Sequence, residues 1–420
     1  MTSGPSLPHI HHHHKKSPRG RSSEHLLYIN TCSILSLQQS TSVHLATMSG
    51  SEYQYCATNA QSLTALSAQY ELPEPPTDVI SAVKYAPSSP ERLLVSSWDR
   101  HVYLYETTSQ DSAALLLRVE HRAPVLDICF GETDNDAFSA GLDWDVSHIN
   151  LETGKKTVLS SHNAGVKSVV YSDAHKLLIS ASWDCELHIH PFADGKPTHA
   201  WTSISLPSKP FSVSATGSKL VVAMASRAVH IYDLAALRMM SNQSGAAPET
   251  GGQNKLAIEP WQTRESSLKF MTRAVACMPS DEGYAISSIE GRIGVDWFDP
   301  SDESQARKYA FKCHRQTEDD VDVVYPVNAL AFHPVRTTTF ASGGGDATVV
   351  FWDGQSKRRI KQYAGFPASI SSMSWSSDGR HLAIGVSPGF EDGKEELEEG
   401  SVKVFVREIS EAEVKGKATK

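Results

Sequence analysis

Several signatures that would assign this chain to a common functional class are missing. The six cysteines form no Cys-x-x-Cys pair, which excludes the usual zinc and dithiol redox motifs. No apolar run approaches the roughly 20 residues of a membrane-spanning helix, and the sequence has no nucleophile elbow, P-loop or His-Glu-x-x-His motif. A formal net charge of −9 disfavours general nucleic-acid binding. We therefore expect a reduced cytosolic or nuclear protein with no catalytic residues, no cofactor and no bound metal.

The first 70 residues differ in composition from the rest of the chain. Residues 1–70 are rich in Ser, Thr, His and Gln and have no sustained periodicity, which predicts a disordered, low-complexity extension. The tract from His9 to His14 could bind a metal, but a compositional accident or untranslated sequence read as protein is the favoured interpretation. Met48 is a plausible true start, so expression of residues 1–47 is an open question.

The rest of the chain repeats one unit: a pair of small residues, a tight turn that usually carries Asp, and a short alternating strand. Turn aspartates occur at Asp99, Asp143 and Asp184, at intervals of 44 and 41 residues. A period of about 40 to 45 residues with this strand-turn-strand punctuation is typical of a WD40 propeller blade. Seven copies are recognised, at about 77–108, 115–153, 156–193, 199–237, 261–299, 309–354 and 358–408.

The sequence therefore predicts an all-β, seven-bladed WD40 β-propeller over residues 71–408, followed by a C-terminal tail at 409–420. A ring of blades has to close, and a strand at Gln69–Leu72 is the candidate for completing the last blade. Two segments interrupt the rhythm. Residues 241–258 are predicted to form a flexible surface loop between blades four and five, and residues 391–399 an acidic loop inside the last blade.

Topology predicts which side chains share one face of the ring. Turns between the second and third strands of the blades should lie beside the loops that enter the first strands. Trp and Arg are favoured in interfaces, and Arg also pairs with carboxylate or phosphate, so the pattern predicts a face for acidic or phosphorylated peptides. Each tryptophan could instead serve only to pack within its blade, without contacting a peptide. For His121, His162 and His314 we expect hydrogen bonds to the turn Asp, a structural role. The predicted face comprises Trp98, Trp144, Trp183, Arg227, Arg292, Arg122, Lys167, Arg273, His314 and Arg315.

Four stretches resemble one family of propellers. These are 264–273 (RESSLKFMTR), 287–292 (SSIEGR), 308–315 (KYAFKCHR) and 325–332 (YPVNALAF). Together with two Ser-Trp-Asp turns, they are similar to the spindle-assembly-checkpoint WD40 proteins of the Bub family, the partners of the Bub kinases. The resemblance covers about 73–410. Residues 1–50, the 241–258 insertion and the Asp143-Trp144-Asp145 turn depart from it.

The resemblance implies a non-catalytic adaptor that is nuclear, and at kinetochores in mitosis. It implies binding of the acidic GLEBS segments of checkpoint kinases and of phosphorylated Met-Glu-Leu-Thr motifs on the kinetochore scaffold. It also implies a place in the mitotic checkpoint complex and a monomeric propeller in hetero-complexes, with no nucleic acid and no membrane. By motif, Arg273 matches a GLEBS-contacting arginine and Arg292 a phosphate-binding arginine. The other implied peptide-binding residues are Trp98, Trp183, Lys308, Lys312 and Arg315.

Two other functions are open at this point. A related messenger-RNA export propeller binds a nucleoporin GLEBS segment and shares similar runs, although Tyr325-Pro326-Val327-Asn328 and the segment 408–413 look more like the checkpoint proteins. A substrate receptor for ubiquitin ligases is a second possibility, but no motif singles it out.

Overall fold

The computed structural model describes residues 69–193, 195–198, 201–243, 254–389 and 396–415. Seven antiparallel sheets follow one another around a ring, and the innermost strand of each sheet contacts the innermost strands of both neighbours. The prediction of a seven-bladed WD40 propeller is therefore confirmed. The predicted disorder concerns residues 1–70, and of these residues 1–68 lie outside the described part of the chain.

The described strands are short, and most of them have six residues. In chain order they are β1 (Gln69–Glu71), β2 (Ile80–Tyr85), β3 (Arg92–Ser97), β4 (His101–Glu106), β5 (Ala114–Glu120), β6 (Val125–Phe130), β7 (Asp136–Gly141), β8 (Asp145–Asn150), β9 (Lys156–Ser161), β10 (Val166–Ser172), β11 (Leu177–Ser182), β12 (Glu186–Ala193), β13 (Lys196–Pro197), β14 (Thr202–Ser205), β15 (Pro210–Ala215), β16 (Lys219–Met224), β17 (Ala228–Asp233), β18 (Asn254–Leu256), β19 (Gln262–Glu265), β20 (Thr272–Cys277), β21 (Gly283–Ser288), β22 (Arg292–Trp297), β23 (Tyr309–Lys312), β24 (Arg315–Glu318), β25 (Val321–Val324), β26 (Val327–Phe332), β27 (Thr339–Gly344), β28 (Val349–Asp353), β29 (Arg358–Tyr363), β30 (Ile370–Trp375), β31 (His381–Val386) and β32 (Lys403–Glu408).

The helices are few and short. They are α1 (Leu234–Gln243), α2 (Asp302–Ala306) and α3 (Glu411–Val414), with a 3-10 turn at Ala225–Arg227. None of the helices in the described ranges is long and apolar enough to cross a membrane.

The sequence repeat and the structural blade are offset by one strand. Blade one consists of β2 to β5, blade two of β6 to β9, and blade three of β10, β11, β12 and β14. The repeats recognised in the sequence instead begin with an outer strand, such as β5 for the second repeat. That strand belongs to the preceding blade, because it pairs with that blade's third strand. Blade four consists of β15, β16, β17 and β19, blade five of β20 to β23, and blade six of β26 to β29.

This offset explains how the ring closes. Blade seven receives only β30, β31 and β32 from the end of the chain, and β1 supplies its outer strand. Tyr70 lies opposite Val406, and Leu72 N–H donates to Val404 O at 2.8 Å. The predicted closing strand at Gln69–Leu72 is confirmed. The N-terminus is thereby joined to the last blade, which removes an open edge.

Every blade has a β-bulge near the start of its inner strand. The register between first and second strands shifts there in all seven sheets. A bulge turns the extra side chain away from the regular alternation. In blades three, five and six, bulge residues are Lys167, Arg273 and Asn328. Three polar side chains are thus redirected at the same end of their blades.

The segment between the third and fourth strands of blade four is more ordered than predicted. Asp233 Oδ1 accepts a hydrogen bond from Ala236 N at 3.0 Å and caps α1. The helix buries Leu237, and Arg238 donates to the backbone carbonyls of Lys176 and Phe192. Strand β18 then pairs with β14 in parallel, at the outer edge of blade three. The predicted loop over 241–258 is therefore wrong at both ends and in its position between blades, while residues 244–253 lie outside the described ranges.

The segment predicted as a tail also contacts the propeller where it is described. Val414 of α3 is buried, and its carbonyl accepts a hydrogen bond from Thr339 Oγ1 at 3.3 Å. Tyr363 donates its phenol to Glu413 at 2.7 Å. The acidic segment 391–399 falls between β31 and β32 of blade seven, as expected, although 390–395 are outside the described residues.

Candidate peptide-binding face

Backbone hydrogen bonds gather the predicted face at one end of the ring. Trp98 N–H donates to Val79 O at 2.9 Å, and Ile289 N–H donates to Met271 O at 3.1 Å. Such bonds tie the turn between second and third strands to the loop that enters the first strand of the same blade. We call this end of the propeller the upper face.

Two of the three predicted histidine networks support these turns. His314 Nδ1 lies 2.8 Å from Asp346, and its Nε2 lies 2.7 Å from Ser342 Oγ. His162 bridges Asp184 and Ser180 in the same way, with both distances 3.0 Å. Burial alone would raise the pKa of Asp184, but hydrogen bonds from His162 and from two backbone N–H groups hold it below its usual value. The structural role predicted for these histidines is confirmed.

The prediction for His121 is wrong in part. Its Nε2 reaches Ser139 Oγ at 2.8 Å, but its Nδ1 faces Val119 O at 3.2 Å instead of Asp143. The charged contact of blade two is made by Asp145 instead: its buried carboxylate lies 2.5 Å from Nη2 of the exposed Arg122. The extra acidic residue of the Asp143-Trp144-Asp145 turn therefore pairs with the exposed Arg122, whereas Asp143 has no bond to His121.

Arg273 is exposed on the upper face and is held in a fixed orientation. Its Nε and one Nη donate to Asn328 Oδ1 at 3.0 and 2.8 Å. Asn328 in turn donates its amide to Ser369 Oγ and Ile370 O. Among the described residues no carboxylate pairs with Arg273. The guanidinium is therefore positioned by a neutral residue and keeps its charge available for an acidic ligand.

Lys167 extends the positive potential beside Arg273. Burial lowers the pKa of Lys167; Asp127 opposes this effect, and the charges of Arg273 and Lys84 add to it. Arg273 of blade five is thus one of the cations whose charge acts on Lys167 of blade three.

Arg292 and Lys312 form a second cationic pair. They are register partners on β22 and β23, and Arg292 Nε lies 3.5 Å from Glu290 Oε2. Arg292 is about one-third exposed (35%). A cavity of about 460 Å³ adjoins it and is lined by Ser267, Leu268, Lys269, Glu290, Arg292 and Ala310. Arg292, Lys269 and the hydroxyl of Ser267 at this cavity provide suitable donors for a phosphate group, while Lys312 lines a neighbouring cavity.

Gly291 fixes the turn that carries Arg292. Its φ is +63°, and an added Cβ would lie 2.6 Å from Cys313 O and 3.0 Å from His314 O. Only glycine fits there, both because of the left-handed backbone and because carbonyls close over it. The direction of the Arg292 side chain is consequently set by a rigid backbone.

The structure separates two of the predicted residues from this group. Arg315 donates to the carbonyls of Glu290 and Gly291 at 3.2 and 3.3 Å, so it fastens the β24–β25 hairpin to the turn of blade five. Lys308 precedes β23 at the opposite end from Lys312 and lies 3.3 Å from Asp296. Lys308 is therefore not on the upper face.

Trp98 and Trp183 are half-buried at equivalent turns of blades one and three. Trp183 packs on its own blade's entry loop, since a Cβ on Gly165 would lie 3.0 Å from the ring. Both tryptophans are thus partly accessible at their turns, and Trp183 is anchored by its contact with the entry loop.

Sequence reasoning missed two residues of this face. Asn328 lies in the Tyr325-Pro326-Val327-Asn328 motif, but its contact with Arg273 joins bulges of neighbouring blades, which spacing alone does not reveal. Lys269 shares the cavity of Arg292, and its place in the loop entering blade five was the available signal. Within the described residues, no group of three or more His, Cys, Asp or Glu side chains could hold a metal ion.

Comparison with known proteins agrees with this architecture. The family model described as "WD domain, G-beta repeat" matches residues 154–190 and 310–353. "Mitotic checkpoint protein BUB3.1" of Arabidopsis thaliana is 42% identical over 353 residues, which covers 84% of this chain and 96% of that protein. "Mitotic checkpoint protein bub3" of Dictyostelium discoideum is 40% identical over 79% of this chain and 92% of its own length.

The chain belongs to the Bub3 family of mitotic checkpoint proteins. Export proteins are also similar, at lower identity. "mRNA export factor GLE2" of Chaetomium thermophilum is 28% identical over 80% of this chain and 89% of that protein. The resemblance noted in the sequence motifs therefore extends over most of this chain and nearly the full length of the Arabidopsis relative.

Proposed function

We propose that this chain is a spindle-assembly-checkpoint adaptor. It binds acidic GLEBS segments of checkpoint kinases and phosphorylated Met-Glu-Leu-Thr motifs of the kinetochore scaffold, and so recruits the kinases to unattached kinetochores. It acts in the nucleus and at kinetochores, without catalysis of its own, and contributes to the mitotic checkpoint complex. The names of the Bub3 relatives support the checkpoint role.

The observation that carries the proposal is the oriented guanidinium of Arg273, which has no carboxylate partner among the described residues. Asn328 holds it through two hydrogen bonds and contributes no charge, so a ligand carboxylate would meet an undiminished cation. Preorganisation matters because a bound peptide then gains the ion pair with little loss of side-chain entropy. An acidic segment is the ligand that benefits most from this arrangement.

The second part of the proposal concerns phosphate. Arg292, Lys312 and Lys269 are contributed by neighbouring strands and one loop of blade five. Glu290 lies near Arg292 but at 3.5 Å, which is longer than a strong charge-assisted hydrogen bond. A phosphoryl group with about two negative charges would compete well for Arg292.

A second candidate function is mRNA export through a nucleoporin GLEBS segment. The relatives named as export factors support it, with 28% identity for the Chaetomium protein. Identity of 40 to 42% to the checkpoint proteins favours the first candidate. An acidic segment on Arg273 is common to both functions, so the phosphate subsite at Arg292 is what distinguishes them.

The test is the affinity of the full chain for a phosphorylated Met-Glu-Leu-Thr peptide with Arg292→Glu. A charge-assisted hydrogen bond contributes about 1.5–3 kcal/mol, equivalent to about 10- to 100-fold in affinity, and reversing the charge adds repulsion. We therefore expect binding to be abolished while the fold is retained. Arg380→Glu is the matched control, because this arginine is 79% exposed beside the turn between β30 and β31 at the other end of the ring.

Three results would decide the question. Loss of phosphopeptide binding only in Arg292→Glu supports the subsite. Equal loss in both variants would indicate a general charge effect and would count against the subsite. Unchanged affinity in Arg292→Glu would remove the phosphate assignment, and binding of the kinase GLEBS peptide would then need to be judged separately with Arg273→Ala, for which we expect weaker binding.

A further inference from the structure

One corner of the turn between second and third strands has a left-handed backbone in several blades. It is occupied by Arg100, Trp144, Cys185, Gly291 and Ala347, with φ between +54° and +73°. Bulky side chains are disfavoured in this region, and glycine or asparagine is preferred. Trp144 is the one large aromatic residue in this set.

Packing does not account for Trp144. The residue is 51% exposed, and no ring stacking, cation–π contact or side-chain hydrogen bond involving it is found among the described residues. Trp98 and Trp183 sit one position before the turn Asp and are half-buried, whereas Trp144 follows Asp143 and is exposed. A strained, exposed tryptophan contributes little that the fold requires.

The backbone beneath Trp144 is nevertheless rigid. Its N–H donates to Gly141 O at 3.3 Å, and its carbonyl accepts from His162 N–H at 2.9 Å. Arg122 clamps the next residue, with Nη2 at 2.5 Å from Asp145, and Ser161 Oγ donates to the same carboxylate at 2.6 Å. The indole is therefore presented from a fixed platform, as expected of a residue that binds a partner.

The position of Trp144 indicates what it could contact. Blade two lies between blades one and three, so Trp144 stands between Trp98 and Trp183 on the upper face, on the same face as Arg273. We propose that Trp144 is a further peptide-binding residue, which receives an apolar side chain of the ligand whose carboxylates pair with Arg273. This inference rests on the proposed function and names the ligand class: an extended peptide with apolar side chains among its acidic residues.

The test uses Trp144→Gly and Trp144→Asn in the full chain, with a synthetic GLEBS peptide of a checkpoint kinase as the probe. Both residues suit a left-handed corner, so the melting temperature should stay within about 2 °C of wild type or rise. Peptide affinity should fall about 10-fold or more, and Trp144→Tyr should recover part of it. Trp261→Ala is the matched control, because this tryptophan is 45% exposed next to β19, away from the upper face.

A peptide in which serine replaces the apolar residues completes the test. Wild type and Trp144→Gly should bind this peptide equally, because the serine peptide lacks the apolar side chain that would contact Trp144. Unchanged affinity of Trp144→Gly for the original peptide, or a clear fall in melting temperature of both variants, would overturn the inference. So would a concentration-dependent dimer that is lost in Trp144→Gly, because a second copy of the chain would then cover the indole.

Failure of this inference and failure of the proposed function give different results. If Arg273→Ala weakens peptide binding and Trp144→Gly does not, only the role of Trp144 is overturned. If the wild-type chain binds no GLEBS peptide at all, the proposed function is overturned together with it.

Discussion

Blades two and six each have a turn Asp and a histidine at the entry loop, but the two blades differ in the contacts that these residues make. Each has a histidine bonded to a serine, His121 with Ser139 and His314 with Ser342. In blade six the histidine also bonds Asp346, inside the blade. In blade two the equivalent Asp143 has no such bond, and burial raises its pKa.

The difference shows that the turn of a blade can be stabilised by a buried hydrogen-bond network or by an ion pair with an exposed arginine. Blade six relies on a buried network that ends at Trp352, whose Nε1 donates to Ser342 Oγ at 2.8 Å. Blade two relies on Arg122, which is 71% exposed and pairs with Asp145. Because solvent screens the second contact, blade two should owe less of its stability to charge pairing, while its turn is free to display Trp144.

The largest effect is expected from removing the turn carboxylate in blade six. Asp346→Ala leaves His314 buried without its partner and should lower the free energy of unfolding by about 3 kcal/mol. Asp143→Ala is the matched variant and should change it by no more than about 0.5 kcal/mol. Urea unfolding of both proteins measures the difference. Similar losses in the two variants would show that the blades are not fastened differently.

Acid should affect blade two through His121. Burial, reinforced by the charge of Lys156, lowers the pKa of His121 to about 4, although the Val119 carbonyl acts in the opposite direction. His121 is therefore neutral in the folded protein, whereas in the unfolded chain it takes up a proton below pH 6.5. The unfolded state then binds more protons, so stability is complete above pH 6.5 and falls as the pH drops toward 4.

The magnitude can be measured by urea unfolding at pH 7 and pH 5. His121 alone should contribute a loss of about 2 kcal/mol over this range, since one pKa unit corresponds to about 1.4 kcal/mol. His188 and His190 add to the loss, because burial lowers their pKa values to about 2 and 3. His121→Gln should therefore lose about 2 kcal/mol less on acidification than wild type. Equal losses would mean that His121 is not held neutral.

The smallest effect is expected from the Arg122–Asp145 pair of blade two, whose arginine is exposed to solvent. Arg122→Ala should lower the free energy of unfolding by less than about 1 kcal/mol, and the loss should shrink in high salt. Unfolding in low salt and in 1 M salt measures this. A loss as large as that of Asp346→Ala, and independent of salt, would contradict the conclusion that blade two is stabilised by a solvent-screened ion pair.

Much of the fold follows from local patterns in the sequence. Alternation identified the strands, and the ring's need for closure identified β1 as the partner of β32. The assignment of each outer strand to the preceding blade was not visible, because the repeat and the blade have the same length. Helix α1 was also missed, although Asp233 followed by Leu, Ala and Met residues is a recognisable helix start.

The candidate face was only partly predictable for a related reason. Topology placed Arg273 and Arg292 on one face because both belong to turns or bulges of known order. Lys308 and Lys312 are four residues apart, and only the length of β23 shows that they lie at opposite ends of the blade. The anchoring of Arg315 by backbone carbonyls depends on the β24–β25 hairpin, which has no repeat counterpart.

The central claim is tested most directly by titrating the full chain with two GLEBS peptides, one from a checkpoint kinase and one from the nucleoporin, at two salt concentrations. We predict tighter binding of the kinase peptide, weakened by salt, and additional binding of a phosphorylated Met-Glu-Leu-Thr peptide. Preference for the nucleoporin peptide without any phosphopeptide binding would contradict the checkpoint assignment and place the protein in mRNA export.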